Sequence, residues 1–289
     1  MKALMVGATG RNAGAVLPEL VARGVTARAL VRDAARADVA LRRGAAETVV
    51  GDLADPDSLP PAVDGVDGVF HIGPAFAPDE AAMGVAMVEA ARTAGVRKFV
   101  FSGVIHPSIS ALGNHTTKLA VEEALYDSGM DFTVLQPARF MQNWAPAWRE
   151  VVERGRLPMP YPVTARFCWV DYRDVAEAAA LAMTGDELRN GTFELCAPGM
   201  PDGRETAAVA GEVLDRHIEA EQVSATRFAA QLPAGPEHDG LVRMLTHYAG
   251  HGLAGGNPLV LRAVLGREPR SLRQYFSELS RHAPSDGPR

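Results

Sequence analysis

The chain has 289 residues, 47% hydrophobic and 22% charged, ordinary globular usage that excludes a disordered or fibrous chain and suits one large core, alone or with a small annexed lobe. Its 29 Lys and Arg fall short of its 35 Asp and Glu, giving a net charge of -6, which argues against a surface that neutralises phosphate backbones; no nucleic-acid partner is expected. No apolar run approaches the length of a membrane span and the start of the sequence lacks a basic-then-apolar leader, so no membrane partner and a cytoplasmic location are expected.

In chain order, short apolar runs of β type fall at residues 3–6, 26–31, 47–50, 68–72, 98–101 and 132–135, each separated from the next by a helical pattern or turn. This alternation predicts crossover units and a parallel sheet, and the nearly unbroken apolarity predicts strands covered on both faces, a doubly wound α/β fold. Val16, Leu17, Leu20 and Val21 give the first helix its apolar face before Gly24. Asp55-Pro56 marks a helix start, and Gly95 and Gly129 stop the helical patterns over 79–94 and 118–126. After Gln136 the rhythm breaks at Trp144, Trp148 and the prolines at 146, 158, 160 and 162.

A strand at 167–170, a helix at 171–183 and a strand at 192–196 then predict a return to the sheet. Residues 1–139 are accordingly expected to form the parallel-sheet domain, with 166–197 returning to it. Residues 140–165 and 198–282 are expected to form a smaller, mainly helical lobe, and 283–289 a tail. Cys168 and Cys196, the only two cysteines, fall in expected strands, so no disulfide framework holds the fold. The histidines are scattered and no Cys-x-x-Cys spacing occurs, so no metal site is expected.

Directly between the first strand and first helix stands Gly7-Ala8-Thr9-Gly10-Arg11-Asn12-Ala13-Gly14. In that setting Gly7 allows the tight turn, Gly10 lets backbone approach a pyrophosphate, and Ala13 lets helix and strand pack closely. With Thr9, Arg11 and Asn12 these residues form an expected dinucleotide cradle at a helix N-terminus. Nucleotide choice is set at the end of the second strand, where an acidic residue would bind the ribose hydroxyls of NAD. Val31 occupies that place and Arg32 follows it, so Arg32 and Arg11 are expected to converge on a 2′-phosphate, favouring NADP over NAD. Asp33 reads better as a helix cap than as a ribose ligand. Asp52 and Leu53 after the third strand, and Gly73 and Pro74 after the fourth, are expected near the adenine and the nicotinamide ribose.

These residues, with His115-x-x-Lys118-x-x-x-Glu122, Gln136-Pro137, Phe140-Met141-Gln142-Asn143 and Val170-Asp171-Tyr172-Arg173-Asp174-Val175-Ala176, resemble the NmrA-like branch of the atypical short-chain dehydrogenase/reductases. The resemblance covers residues 1 to about 200 well and the remainder loosely. It implies a Rossmann domain with a small substrate lobe, NAD(P) binding, and either reductase activity or cofactor sensing. Typical superfamily members carry a tyrosine four residues before the lysine and a serine just beyond the fifth strand. Here Lys118 is kept, Asn114 stands in the tyrosine's place and Val104 in the serine's, with Ser102 two residues earlier.

The resemblance implies that Lys118 and Pro137 border the nucleotide, Lys118 by holding the nicotinamide ribose. His115 has two readings of equal weight, a substitute general acid or a ring satisfying backbone groups at a helix start; His106 is a weaker candidate. Glu122 is expected to pair with Lys118 along the helix, and Asp171 and Asp174 to cap a helix. Phe140, Asn143, Trp144 and Trp148 are expected to wall a substrate site, with packing as the alternative role of the tryptophans. His247, Tyr248 and His251 are candidates to cover it.

The function expected is NADPH-dependent reduction of a small, apolar carbonyl, quinone or enone compound by a monomer or homodimer. The alternatives are a non-enzymatic NADP(H)-binding redox sensor, motivated by the missing tyrosine, and an isomerase, lyase or cyclase on the same scaffold.

Overall fold

The computed structural model describes residues 1–230 and 232–282. The tail expected at 283–289 lies outside them. The first elements are β1 (Lys2–Met5), α1 (Val16–Ala22), β2 (Thr26–Val31), α2 (Ala37–Arg42), β3 (Glu47–Val50), α3 (Pro60–Val63), β4 (Gly68–His71), α4 (Glu80–Thr93), β5 (Lys98–Ser102), α5 (Gly113–Tyr126) and β6 (Asp131–Pro137). There follow β7 (Arg139–Phe140), α6 (Ala145–Arg154), β8 (Arg156–Met159), β9 (Trp169–Val170), α7 (Tyr172–Thr184) and β10 (Gly191–Leu195). The last are α8 (Gly203–Leu214), β11 (Glu219–Gln222), α9 (Ala225–Ala229), α10 (Pro236–His251), α11 (Leu259–Leu265) and α12 (Leu272–His282). Among the described residues no helix is long and apolar enough to cross a membrane.

Two compact units form. Met1–Pro137, Tyr172–Leu195 and Val260–Gly266 make the first; Ala138–Asp171, Cys196–Leu259 and the described residues from Arg267 on make the second. The first is a seven-stranded sheet in the order β10-β6-β5-β4-β1-β2-β3, parallel throughout. Successive strand residues face opposite sides. Leu4, Val6, Val69, Phe99, Phe101 and Val134 meet Val63, Met87, Val88, Ala91, Val121 and Leu125 of α3, α4 and α5 in one core. Ala3, Met5, Phe70 and Val100, their strand neighbours, are buried on the other face, where α7 packs on β4, β5 and β6 and against α1. This double cover explains the unbroken apolarity of the strands, the doubly wound class read from the sequence. Because β1 lies between β2 and β4, the winding reverses there, at the point where such sheets bind ligands.

Two expectations are corrected. The run at 167–170 does not rejoin the central sheet. β9 pairs with β7, Arg139 opposite Trp169 and Phe140 opposite Val170, while Phe167 bridges Leu253; only β10 rejoins, beside β6. An apolar run fixes a strand's burial, not its partner. Residues 260–266 group with the first unit, although the helical pattern beyond Pro198 assigns them to the lobe. A further two-stranded pair, β8 with β11, carries Pro158 and four polar residues, Arg156, Glu219, Glu221 and Gln222, so no β-type run announces it.

Candidate functional site

The glycine turn closes on itself through Gly10 N–H donating to Gly7 O at 2.8 Å and Gly14 N–H to Gly10 O at 3.2 Å. Gly7 has φ +80°, and a Cβ there would lie 3.0 Å from both Ala13 Cβ and Ile72 Cγ2; a Cβ on Gly10 would lie 3.1 Å from Gly7 O. A side chain at either position would make its neighbours give way, and at Gly7 the positive φ adds backbone strain. Ala13 is buried at the start of the 3₁₀ turn that runs into α1, and Thr9 is partly exposed. Asn12 Oδ1 is buried without a hydrogen-bond partner, a cost relieved by a ligand donor.

Arg43, which follows α2, braces the turn from beneath. Its Nη1 donates to Ala8 O at 2.6 Å and Gly10 O at 2.8 Å, and a Cβ on Gly14 would collide with its guanidinium. Arg43 lies about thirty residues from the turn, and no local signal in the sequence links the two. Arg11 and Arg32 are exposed, and neither forms an ion pair among the described residues. Asp33 caps a 3₁₀ turn by accepting from Ala35 N–H at 2.8 Å, so its carboxylate is used as the sequence reading favoured. Exposed Asp52 accepts from Ala54 N–H at 3.0 Å, and Leu53 beside it packs against the core.

The fourth strand ends in a group the sequence reading missed. A Cβ on Gly73, next to the exposed Pro74, would lie 2.8 Å from Glu80 Oε1. Glu80, 2% exposed at the start of α4, is the ion-pair partner of Lys118 on α5. Lys118 Nζ also donates to Asn114 O at 3.0 Å, and Thr117 Oγ1 donates to Glu80 Oε2 at 3.0 Å. The expected Lys118–Glu122 pair is therefore corrected. Glu122 instead accepts from Gln136 Nε2 at 2.8 Å, and burial raises its pKa. Helix spacing permits the Glu122 pair, but α4 and α5 approach closely because Gly84 leaves space for Val121, which brings the buried Glu80 carboxylate to the ammonium. Burial pulls the Lys118 pKa down despite Glu80. Pro137 is buried at the end of β6, where its carbonyl accepts from Ile105 N–H at 3.0 Å.

His115 is 1% exposed. Its Nδ1 donates to His106 O at 3.3 Å, Ile105 supplies a further backbone contact, and burial drives its pKa down to about 4. The ring is neutral near pH 7, the backbone-satisfying arrangement of its two readings. His106 itself has φ +52° and its Nδ1 lies 3.3 Å from Glu194 Oε1. His71, the last residue of β4, is fully buried against Phe101 at 5.8 Å, with neither ring nitrogen hydrogen-bonded; burial and the Lys118 charge push it down to about 3. Ser102 is buried at the end of β5 and interacts with the Tyr172 hydroxyl, whose pKa burial raises.

The two buried rings give a pH signature. Unfolded histidines take up protons near pH 6.5, whereas His115 and His71 do so only near 4 and 3 when folded. The unfolded state thus binds more protons as pH falls below 6.5, and stability is expected to drop by about 1.4 kcal/mol per pH unit per histidine within that window. Urea midpoints measured from pH 7 to 5 should fall steeply, and His71→Phe should flatten the slope by one proton; an unchanged slope would contradict the assignment.

In the second unit the expected substrate residues separate. Phe140 is partly exposed and Asn143 exposed. Trp144 and Trp148 are buried, Trp148 stacked on Phe276 at 4.8 Å and Trp144 against Trp169 at 5.1 Å, so both take the packing role. Asp171, immediately before α7, accepts from Gln142 Nε2 at 2.8 Å, and Asp174 is buried in the first turn of that helix. Tyr248 turns inward onto Phe167 at 5.4 Å. His247 and His251, one helical turn apart, stack at 4.4 Å. Among the described residues no group of three or more His, Cys, Asp or Glu could hold a metal ion.

The NmrA-like family matches over residues 1–279. An NAD(P)H azoreductase of Xenophilus azovorans is 35% identical over 218 residues, 74% of each chain. A (4-alkanoyl-5-oxo-2,5-dihydrofuran-3-yl)methyl phosphate reductase of Streptomyces griseus subsp. griseus is 30% identical over 296 residues, 99% of each chain. The crystal structure of an NADPH-dependent quinone oxidoreductase of Escherichia coli with NADPH shares the fold at 23% identity and a TM-score of 0.82, covering 97% of this chain and 100% of that one. The glycine turn, the parallel sheet wound about it and these matches place the chain in the NmrA-like family.

Proposed function

We propose that this protein is an NADPH-dependent reductase of small, largely apolar carbonyl, quinone or enone compounds. The observation that carries the reading is the glycine turn. A Cβ on Gly7 or Gly10 would press on atoms 3.0 to 3.1 Å away, Asn12 Oδ1 is buried and unpartnered, and Arg11 and Arg32 are exposed, Arg32 directly after the place where NAD-specific sheets carry an acid. Gly7, Thr9, Gly10 and Ala13 would hold the pyrophosphate, Asn12 would accept from a hydroxyl of the nucleotide, Arg11 and Arg32 would hold the 2′-phosphate, Asp52 and Leu53 the adenine side, and Gly73, Pro74, Lys118 and Pro137 the nicotinamide ribose. The relatives support the same chemistry, since their names specify reduction of azo and quinone compounds and of an unsaturated lactone phosphate.

When bound, the reduced dinucleotide supplies a hydride. Lys118 orients the ribose and keeps positive charge at that end of the sheet, while Glu80 holds the ammonium in place. His115, neutral and turned to backbone, is a positioning group of the loop after β5, and water serves as the proton source. Turnover is tested by NADPH absorbance across naphthoquinones, azo compounds and enones. Substrate-dependent oxidation supports the reading; cofactor binding without consumption by any class would make the protein a sensor.

Arg11→Ala with Arg32→Ala is expected to raise the Kd for NADPH by about 10- to 100-fold, the loss of charge-assisted bonds to one phosphate. Affinity for NADH should change by less than about threefold. Equal weakening of both nucleotides would remove these residues from the 2′-phosphate site.

A further inference from the structure

The second unit holds a cation with no acid beside it. Arg139, on β7 and partly exposed, places its guanidinium carbon 4.4 Å from the ring centre of Trp169, 4.5 Å from Phe167, 5.1 Å from Tyr161 and 5.4 Å from Tyr248. The four rings are all nearly fully buried. Among the described residues its only hydrogen bond is from Nη1 to Tyr161 Oη at 2.6 Å. The titratable groups whose pKa responds to it are the Cys168 thiol, raised by its neighbour Cys196 and by burial, and the Tyr248 phenol, pushed up to about 12 by burial. Arg139 forms no ion pair among the described residues.

The rings fix the guanidinium by cation–π contact, yet a ring face gives its N–H groups no lone pair to bond. A guanidinium has five N–H donors, and Arg139 uses one of them. The same aromatic region has further unused donors. The indole N–H groups of Trp144, Trp148 and Trp169 are buried without an acceptor. A guanidinium held by ring faces and free of an acid partner recognises a planar or tetrahedral oxyanion through two parallel bonds.

We propose that Arg139 is a specificity-determining residue that receives an oxyanionic substituent, a sulfonate, carboxylate or phosphate, carried on an otherwise apolar or aromatic substrate. This rests on the reductase reading above and narrows its substrate class from apolar compounds to compounds with one apolar body and one acidic group. The guanidinium suits the acid.

The test compares 1,4-naphthoquinone-2-sulfonate with 1,4-naphthoquinone, each with NADPH, on the full chain and on Arg139→Met. Wild type is expected to show the lower KM for the sulfonated quinone. In Arg139→Met that KM should rise by about 10- to 100-fold with kcat little changed, the loss expected of a charge-assisted bond, and the unsubstituted quinone should shift by less than about threefold. Equal effects on both quinones, or none, would overturn the proposal. Calorimetry with redox-inert naphthalene-2-sulfonate and naphthalene-2-methanol on wild type needs neither turnover nor a variant that folds. Tighter, salt-sensitive binding of the sulfonate supports the oxyanion site even if no quinone is reduced, and equal affinity overturns it even if both are.

Discussion

Gly7→Ala is expected to weaken NADPH binding by about 10- to 100-fold while leaving the sheet folded. The backbone at this position has φ +80°, where a β-carbon costs roughly 1–3 kcal/mol of strain. The added methyl would also press on Ala13 Cβ and Ile72 Cγ2, both 3.0 Å away. Ala13 begins the turn into α1 and Ile72 follows β4, so relief of the clash has to separate the first turn from the fourth strand end, the two places proposed to border the dinucleotide. Calorimetric Kd values and the urea midpoint of the variant check the point. Unchanged affinity would show that the turn tolerates a side chain and does not fit closely around a ligand.

Lys118→Met is expected to cost both stability and turnover. Glu80 is 2% exposed, and removal of its ammonium partner leaves an uncompensated carboxylate in the interior, a loss of about 3–5 kcal/mol. Turnover should fall as well, because the ribose loses its orienting charge. The double variant Glu80→Gln with Lys118→Met separates the two effects. The neutral amide can still accept from Thr117, which now bonds Glu80 at 3.0 Å, so most of the stability should return while kcat/KM stays low. A single variant as stable as wild type would contradict the buried pair, and recovery of turnover in the double variant would show that Lys118 acts only through the fold.

Strand positions, the sheet class and the glycine turn were legible in the sequence because each leaves a local trace, in apolarity, in spacing or in a residue type that a backbone angle demands. Asp33 as a cap was legible for the same reason. Lys118 was visible as a chemical group, but Glu80 was not, since thirty-eight residues separate the partners and only the close approach of α4 and α5 at Gly84 joins them. Arg43 beneath the glycine turn and Arg139 among four rings escaped in the same way. A cation's role depends on what the fold brings to it, and Tyr161, Phe167, Trp169 and Tyr248 are spread over nearly ninety positions. Trp144 and Trp148 carried two readings, a substrate wall or packing, and their burial against Trp169 and Phe276 is the packing arrangement.

The central claim is that the turn after β1 binds a phosphorylated dinucleotide. Isothermal titration calorimetry of the purified chain with NADPH, then with NADH, tests it without any assumption about substrate. A saturable heat with NADPH, and an affinity for NADH about tenfold or more weaker because no 2′-phosphate meets Arg11 and Arg32, is the expected result. Absence of heat from both nucleotides, together with unchanged NADPH fluorescence, would contradict it.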